Sequence, residues 1–173
     1  LLNEMLSRRR PGYSLEAPFY LSEAIHAADM QHIFGKHWVF VAVEPQLAEA
    51  GDYITVELGA DSILIVRDDD MQLQAFFNVC RHRGSRICDA LEGRETRLTC
   101  KYHGWTYALD GSLRGAGHTP EGFDKSRLGL KRLRLRVFQG LIFINFDQDA
   151  VPFDPIENDL GPLLAPYGLE RAR

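Results

Sequence analysis

The sequence predicts a mainly β fold, an antiparallel sandwich or barrel, on three observations. Short runs rich in β-branched and aromatic residues recur through the middle of the chain. They are separated by Pro45, Gly51-Asp52 and Asp68-Asp69-Asp70, which break a chain into short elements rather than extend a helix. Further on, Leu133, Leu135 and Val137 alternate with Arg134, Arg136 and Phe138, the period-two signature of a strand with one covered face.

Taken in order, residues 1–20 read as an irregular arm, because Arg8-Arg9-Arg10, Pro11-Gly12 and Pro18 interrupt any regular pattern. Ser22 is placed to cap a helix running to Phe34, with Gly35 ending it. Strands are expected over 38–43, 53–58, 63–67 and 73–79. Two short loops follow, one directly after the fourth strand and one between Leu98-Thr99 and Trp105-Thr106-Tyr107. Asp110-Gly111 is a hairpin-turn signal beyond the second loop. An irregular stretch over 115–130 leads to the alternating strand and a last apolar strand at 141–146. From Val151 onward, Pro152, Pro155, Pro162 and Pro166 predict an extended, irregular tail. The domain reading is an arm and helix over 1–37, one β domain over 38–147, and the start of a linker over 148–173.

Composition narrows the function classes. Hydrophobic content of 45% and charged content of 25% are ordinary for a globular domain. No apolar run approaches ~18 residues, so no membrane span is expected, and the first residues lack the apolar core of a secretory signal. The chain starts Leu1-Leu2-Asn3 and reads as a piece of a longer protein. A net charge of −4 and the lack of a recognition-helix or aromatic single-strand pattern speak against nucleic acid as a partner. Three cysteines give no disulfide framework, which favours a reducing cytoplasm.

The decisive motif is Cys80-Arg81-His82, followed after seventeen residues by Cys100-Lys101-Tyr102-His103. Each loop offers one thiolate and one imidazole. Such a set suits a tetrahedral zinc ion or a two-iron cluster in which histidines replace two of four cysteines. Only one residue separates Cys80 from His82, which makes it hard for both to reach a single ion. Two different iron atoms are easier to reach.

N-V-C-R-H-R-G-S-R at 78–86 and C-K-Y-H-G-W-T-Y-A-L-D-G at 100–111 resemble the Rieske [2Fe–2S] motif of ring-hydroxylating oxygenase large (alpha) subunits. The resemblance implies a Rieske antiparallel β-sandwich, with Cys80 and Cys100 on one iron and His82 and His103 on the other. Arg83, Gly84, Gly104 and Trp105 are expected to shape the loops around the cluster, the glycines letting the backbone come close. High-potential Rieske proteins add a disulfide between the loops and a serine donor, where this chain has Ser85, Tyr102 and Trp105. Lacking these, the potential is expected near the low end of the Rieske range, about −150 mV. Many relatives place proline where this chain has Lys101.

The implied activity is delivery of electrons, from an NAD(P)H-dependent reductase or a ferredoxin, to a mononuclear Fe(II) site that oxidises substrate with dioxygen. The family also implies a homotrimer. No histidine lies beyond residue 118, so that second iron site belongs to a segment this chain does not include, and no catalytic residue is assigned here. Aromatic compounds rank ahead of quaternary ammonium compounds as the substrate, being the broader class. The rivals are a stand-alone Rieske ferredoxin, which would not need the segments before 38 and after 147, and a zinc-stabilised interaction module.

Three further features are weighed. Asp29, His32 and His37 reproduce the spacing of the family's mononuclear-iron motif, but upstream of the Rieske loops. On an α-helix the two histidines would be offset by ~140°, so a structural role is expected, as for His26 and His118. Cys88 reads as a buried small hydrophobe. Arg81, Arg83, Arg86, Arg94, Arg97 and Lys101 outnumber Asp89, Glu92 and Glu95 by three, which reads either as solvated surface around a loop or as a basic rim that favours cluster reduction and attracts an acidic donor.

Overall fold

A computed structural model describes residues 2–171; Leu1 and residues 172–173, the outer ends of the expected arm and tail, lie outside the described residues. Apart from a 3-10 turn at Glu44–Leu47, helix is confined to the two ends, and antiparallel strand fills the middle. The arm is more ordered than its prolines and arginines suggest. α1 spans Leu2–Ser7, where Leu2, Met5 and Leu6 recur at helical spacing and Met5 is buried. α2 is the single turn Pro18–Leu21, with Pro18 in the first turn, where a missing N–H leaves no hydrogen bond unmade.

α3 covers Glu23–Asp29, preceded by Ser22 at the N-cap position, although the serine side chain makes no capping bond. The expected α-helix to Phe34 changes its winding instead. Met30–Phe34 is π-helical, and the Gly35 N–H donates to the Met30 carbonyl at 2.9 Å.

β1 (Val39–Val43), β2 (Asp52–Leu58), β3 (Asp61–Arg67) and β4 (Leu73–Phe77) begin and end within two residues of the expected runs. β5 (Glu92–Arg94), β6 (Leu98–Thr99), β7 (Thr106–Tyr107) and β8 (Leu113–Gly115) are short and frame the two ligand loops. β9 (Arg134–Phe138) and β10 (Leu141–Asn145) form a hairpin turning at Gln139-Gly140, both at positive φ. At the expected Asp110-Gly111 turn, Gly111 has φ +82 and its N–H donates to the Ala108 carbonyl at 2.9 Å. A side chain there would also run into the ring of Phe76.

The strands make three antiparallel sheets, ordered β1-β10-β9, β4-β3-β2-β5 and β6-β7-β8. β3 is the pivot. Ile63, Leu64, Ile65 and Val66 are all fully buried, and because successive side chains point to opposite faces they feed two cores. Ile63 and Ile65 join Ile54, Ala75, Ile142 and Ile144 against the β1-β10-β9 sheet. Leu64 and Val66 join Tyr53 and Phe76 under the ligand loops, in a core that includes Cys80, Cys100, Trp105 and Tyr107. Each such side chain contributes roughly 1.5–3 kcal/mol of burial, so the loops stand on a rigid floor.

The tail departs most from expectation. Instead of an extended segment it carries α4, Asp154–Leu164. Tertiary contacts hold it. The ring of Phe153, just before the helix, packs edge-on against Trp38 and Phe138 and tilted against Phe143, and the Arg136 guanidinium donates to both carboxylate oxygens of Glu157. Pro155 falls in the first turn, where proline is tolerated. Among the described residues no helix is long and apolar enough to cross a membrane.

Candidate metal centre

The two motif loops are built on one plan. In the first, the Cys80 N–H donates to the Ser85 carbonyl at 2.8 Å and the Gly84 N–H to the Cys80 carbonyl at 3.0 Å. In the second, the Cys100 N–H donates to the Trp105 carbonyl at 2.8 Å and the Gly104 N–H to the Cys100 carbonyl at 2.9 Å. Gly84 and Gly104 stand four residues after their cysteines with φ of +72 and +69, a left-handed backbone that other residues adopt only with strain. No protein atom lies within 4 Å of where a Cβ would sit on either one, so backbone conformation, not crowding by the chain, calls for glycine. The loops differ by one position in where the histidine falls.

That common plan brings the four sequence-predicted donors to one end of the molecule. Cys80 and Cys100 are buried in the loop-side core, and His82 is exposed. The His82 and His103 rings lie side by side, with centroids 4.7 Å apart and planes at 72°. Trp105 stacks on His82 at 4.8 Å with an interplanar angle of 8°. Tyr102 leans on His103 with centroids 3.8 Å apart. Burial, then the neighbouring His82 and Arg83, hold the His103 pKa below the ordinary imidazole value.

The donor set fits a [2Fe–2S] group. Soft thiols lie inside, with His82 exposed and His103 half-buried, and two buried N–H donors beside them, Arg81 Nε and Trp105 Nε1, have no acceptor among the described residues. Sulfide ions are acceptors. No three of the described His, Cys, Asp and Glu side chains come together as a single-ion cage.

Tyr107 is a residue the sequence reading passed over. It is fully buried, its hydroxyl oxygen accepts from the Arg81 N–H at 3.0 Å, and it lies 3.3 Å from Cys80 Sγ. The available signal was strand alternation, which puts Tyr107 on the same side of β7 as Trp105. Burial, reinforced by the bond to Cys80, raises its pKa above the ordinary phenol value, so the hydroxyl keeps its proton.

The basic rim is less positive than its composition implies. Arg86 pairs with Glu57, Arg94 with Asp52 and Lys101 with Asp89. Arg81, Arg83 and Arg97 have no carboxylate partner among the described residues. Cys88 is buried against the same core, and burial, with Glu95 and Asp89 adding to it, pushes its thiol pKa up to about 12. Asp29 ends α3, His32 lies on the π-helical turn and His37 in the bend before β1, both histidines exposed. The ~140° offset argued for these histidines assumes α-helical winding through residue 37, and the π-turn removes that premise. His118 is exposed at φ +61, on the loop that carries Phe123 against Trp105.

A model of the Rieske [2Fe–2S] domain matches residues 37–136. The chain belongs to this family. It is 37% identical over 172 residues to the glycine betaine monooxygenase oxygenase subunit of Pseudomonas aeruginosa, a match covering 98% of this chain and 40% of that protein. It is 35% identical over 143 residues to the benzene 1,2-dioxygenase subunit alpha of Pseudomonas putida, covering 81% of this chain and 32% of the relative. Among solved structures, a quaternary ammonium Rieske monooxygenase superposes with a TM-score of 0.78 at 36% identity over 86% of this chain and 41% of that one. Naphthalene 1,2-dioxygenase from Rhodococcus sp. gives a TM-score of 0.85 at 31% identity over 94% and 38%. The chain thus spans less than half the length of these Rieske relatives, which are oxygenase components, as the motif resemblance implied.

Proposed function

We propose that this chain is the electron-delivering Rieske portion of an oxygenase alpha subunit, and that Cys80, His82, Cys100 and His103 hold its [2Fe–2S] cluster. The observation that carries the reading is the pairing within the site: two buried thiols and two adjacent imidazoles, on loops of one plan. When bound, the cluster supplies a one-electron redox couple. Cys80 and Cys100 bind at the core side, His82 and His103 bind at the surface, Trp105 orients the His82 ring, and the Tyr107 hydroxyl donates toward Cys80. The one-residue spacing in Cys80-Arg81-His82 favours two metal positions over a single zinc ion.

The full-length protein would take electrons from an NAD(P)H-dependent reductase or a ferredoxin, and pass them to a mononuclear iron outside this chain for dioxygen-dependent oxidation of substrate. Similarity to the glycine betaine monooxygenase subunit runs over nearly the whole chain, including the segments on either side of the domain, which favours an oxygenase subunit over a stand-alone ferredoxin. The quaternary ammonium relative is a protein for which inter-subunit electron transfer is described, and a homotrimer with transfer between neighbours is the assembly we favour. Cys80, Cys88 and Cys100 of this chain form no disulfide, in keeping with a cytoplasmic setting.

Iron and acid-labile sulfide analysis with electron paramagnetic resonance tests the assignment. Two irons and two sulfides per chain are expected, with nitrogen coupling in the reduced signal that is diminished in His103→Ala. A colourless protein, or a His103→Ala variant with an unchanged nitrogen-coupled spectrum, would refute it.

A further inference from the structure

We propose that Asn78 is the positioning residue for the first ligand loop, fixing where residues 80–86 sit on the scaffold and thereby the orientation of His82. This rests on the reading of His82 as a cluster ligand. Asn78 follows β4 within Phe76-Phe77-Asn78-Val79 and is completely buried. A primary amide carries two donors and an oxygen with two lone pairs, and leaving any of them unmet in the interior is costly.

All four are used. Nδ2 donates to the Cys88 carbonyl at 2.7 Å and to Ser62 Oγ at 3.2 Å, while Oδ1 accepts from the Ile87 N–H at 3.2 Å and the Cys88 N–H at 3.0 Å. Three of these bonds therefore grip residues 87–88, where the ligand loop returns, and the fourth reaches β3. The Asn78 N–H also donates to the Ser62 carbonyl at 2.8 Å.

A second arm closes the circuit. Ser62 Oγ donates to Glu57 at 2.8 Å, and the Glu57 carboxylate pairs with Arg86 at 3.0 Å, at the end of the same loop. Starting at Asn78, the chain of contacts runs through Ser62, Glu57 and Arg86 and comes back through Ile87 and Cys88.

The two loops explain why such a clamp is needed at one of them. The second loop rises between β6 and β7, whose pairing of Leu98 with Tyr107 and Thr99 with Thr106 sets its base. In place of a ladder the first has the isolated bridge between Val79 and Arg86. The bonds inside it, from Cys80 to Ser85 and from Gly84 to Cys80, tie the loop to itself, and the Arg81 N–H bond to the Tyr107 hydroxyl holds its leading end, which leaves the returning end at 87–88 to be seated. At that returning end the amide of Asn78 takes the place of the missing ladder. His82 stands in the middle of this loop, and its stacking on Trp105 depends on the loop's seat.

The test compares the cluster-loaded chain carrying Asn78→Asp, Asn78→Ala, Ser62→Ala or Ile142→Val with the parent. The aspartate keeps the two acceptor contacts and loses both donations. Ser62→Ala removes one clamp bond and the link to Glu57. Ile142→Val is a destabilising control in the other core. Both Asn78 variants should lose the cluster to an iron chelator about tenfold faster or more, as outer-shell changes at metal sites do, with displaced g-values, nitrogen couplings and midpoint potential. Ser62→Ala should move the same quantities less and in the same direction, and Ile142→Val should lower the melting temperature alone. Asn78 variants that behave like Ile142→Val, with cluster lifetime and spectrum unchanged, overturn the proposal. Should both Asn78 variants fail to fold, an unchanged lifetime and spectrum in Ser62→Ala overturns it. A parent protein without nitrogen coupling refutes the ligand reading itself and the clamp with it.

Discussion

Replacing Tyr107 by phenylalanine removes one hydroxyl from the wall behind Cys80 and keeps the ring that fills the core. The hydroxyl oxygen accepts from the Arg81 N–H at 3.0 Å, which leaves its hydrogen to point at Cys80 Sγ, 3.3 Å away. Such a bond strengthens as negative charge builds on the sulfur, so it stabilises the reduced state more than the oxidised one. A net difference of ~0.5–1.5 kcal/mol corresponds to ~20–60 mV for one electron. Tyr107→Phe should therefore lower the midpoint potential by that amount. It should also cost about 1–3 kcal/mol of stability, because the Arg81 N–H loses its acceptor. A redox titration followed by electron paramagnetic resonance measures the first effect, and thermal unfolding measures the second. A potential that stays put or rises while stability falls would show that the hydroxyl serves only the backbone of Arg81.

Three further outcomes are expected. Arg83→Gln should lower the potential by tens of millivolts, on the order expected for an exposed charge beside the site, and more at low ionic strength. Lys101→Gln should move it less, because Asp89 already offsets that ammonium; equal, salt-insensitive shifts would contradict this. Replacing Asp29, His32 and His37 together by alanine should leave iron content at two per chain, and a third iron that vanishes in the triple variant would make these residues a site. Cys88 should resist iodoacetamide in the native protein at pH 8 and react after denaturation. Its raised thiol pKa also means that stability is full below the unfolded thiol's value, near ~8.5, and falls as pH climbs from there toward about 12. Native labelling at pH 8, or stability flat across that range, would count against the burial assigned to it.

Much of this protein is legible in its residues because the relevant signals are local. β-Branched runs between turn residues place β1 to β4, alternation places β9, and Asp110-Gly111 places the turn between β7 and β8. Cysteine and histidine at short spacing in two loops announce a metal centre without any knowledge of the fold. The helical arm and α4 escape the same reading because tertiary contacts hold them: Met5 buried at one end, Phe153 among Trp38, Phe138 and Phe143 at the other. Local breakers such as Pro155 and Pro162 then mislead.

Charge illustrates the same division. The number of rim cations is a property of the chain, but which of them are neutralised depends on Glu57, Asp52 and Asp89 arriving from elsewhere in the fold. The support of the site is likewise tertiary. Tyr107 meets Cys80 from 27 residues away, and Ser62 meets Asn78 across 16, distances over which no sequence pattern specifies a partner. The sequence by itself determined the paired Cys/His motif and the mainly β class, because those depend on residue type and period. Only the tertiary structure decided which hydrogen bonds orient the donors, because buried polar groups take whatever partners packing brings within reach.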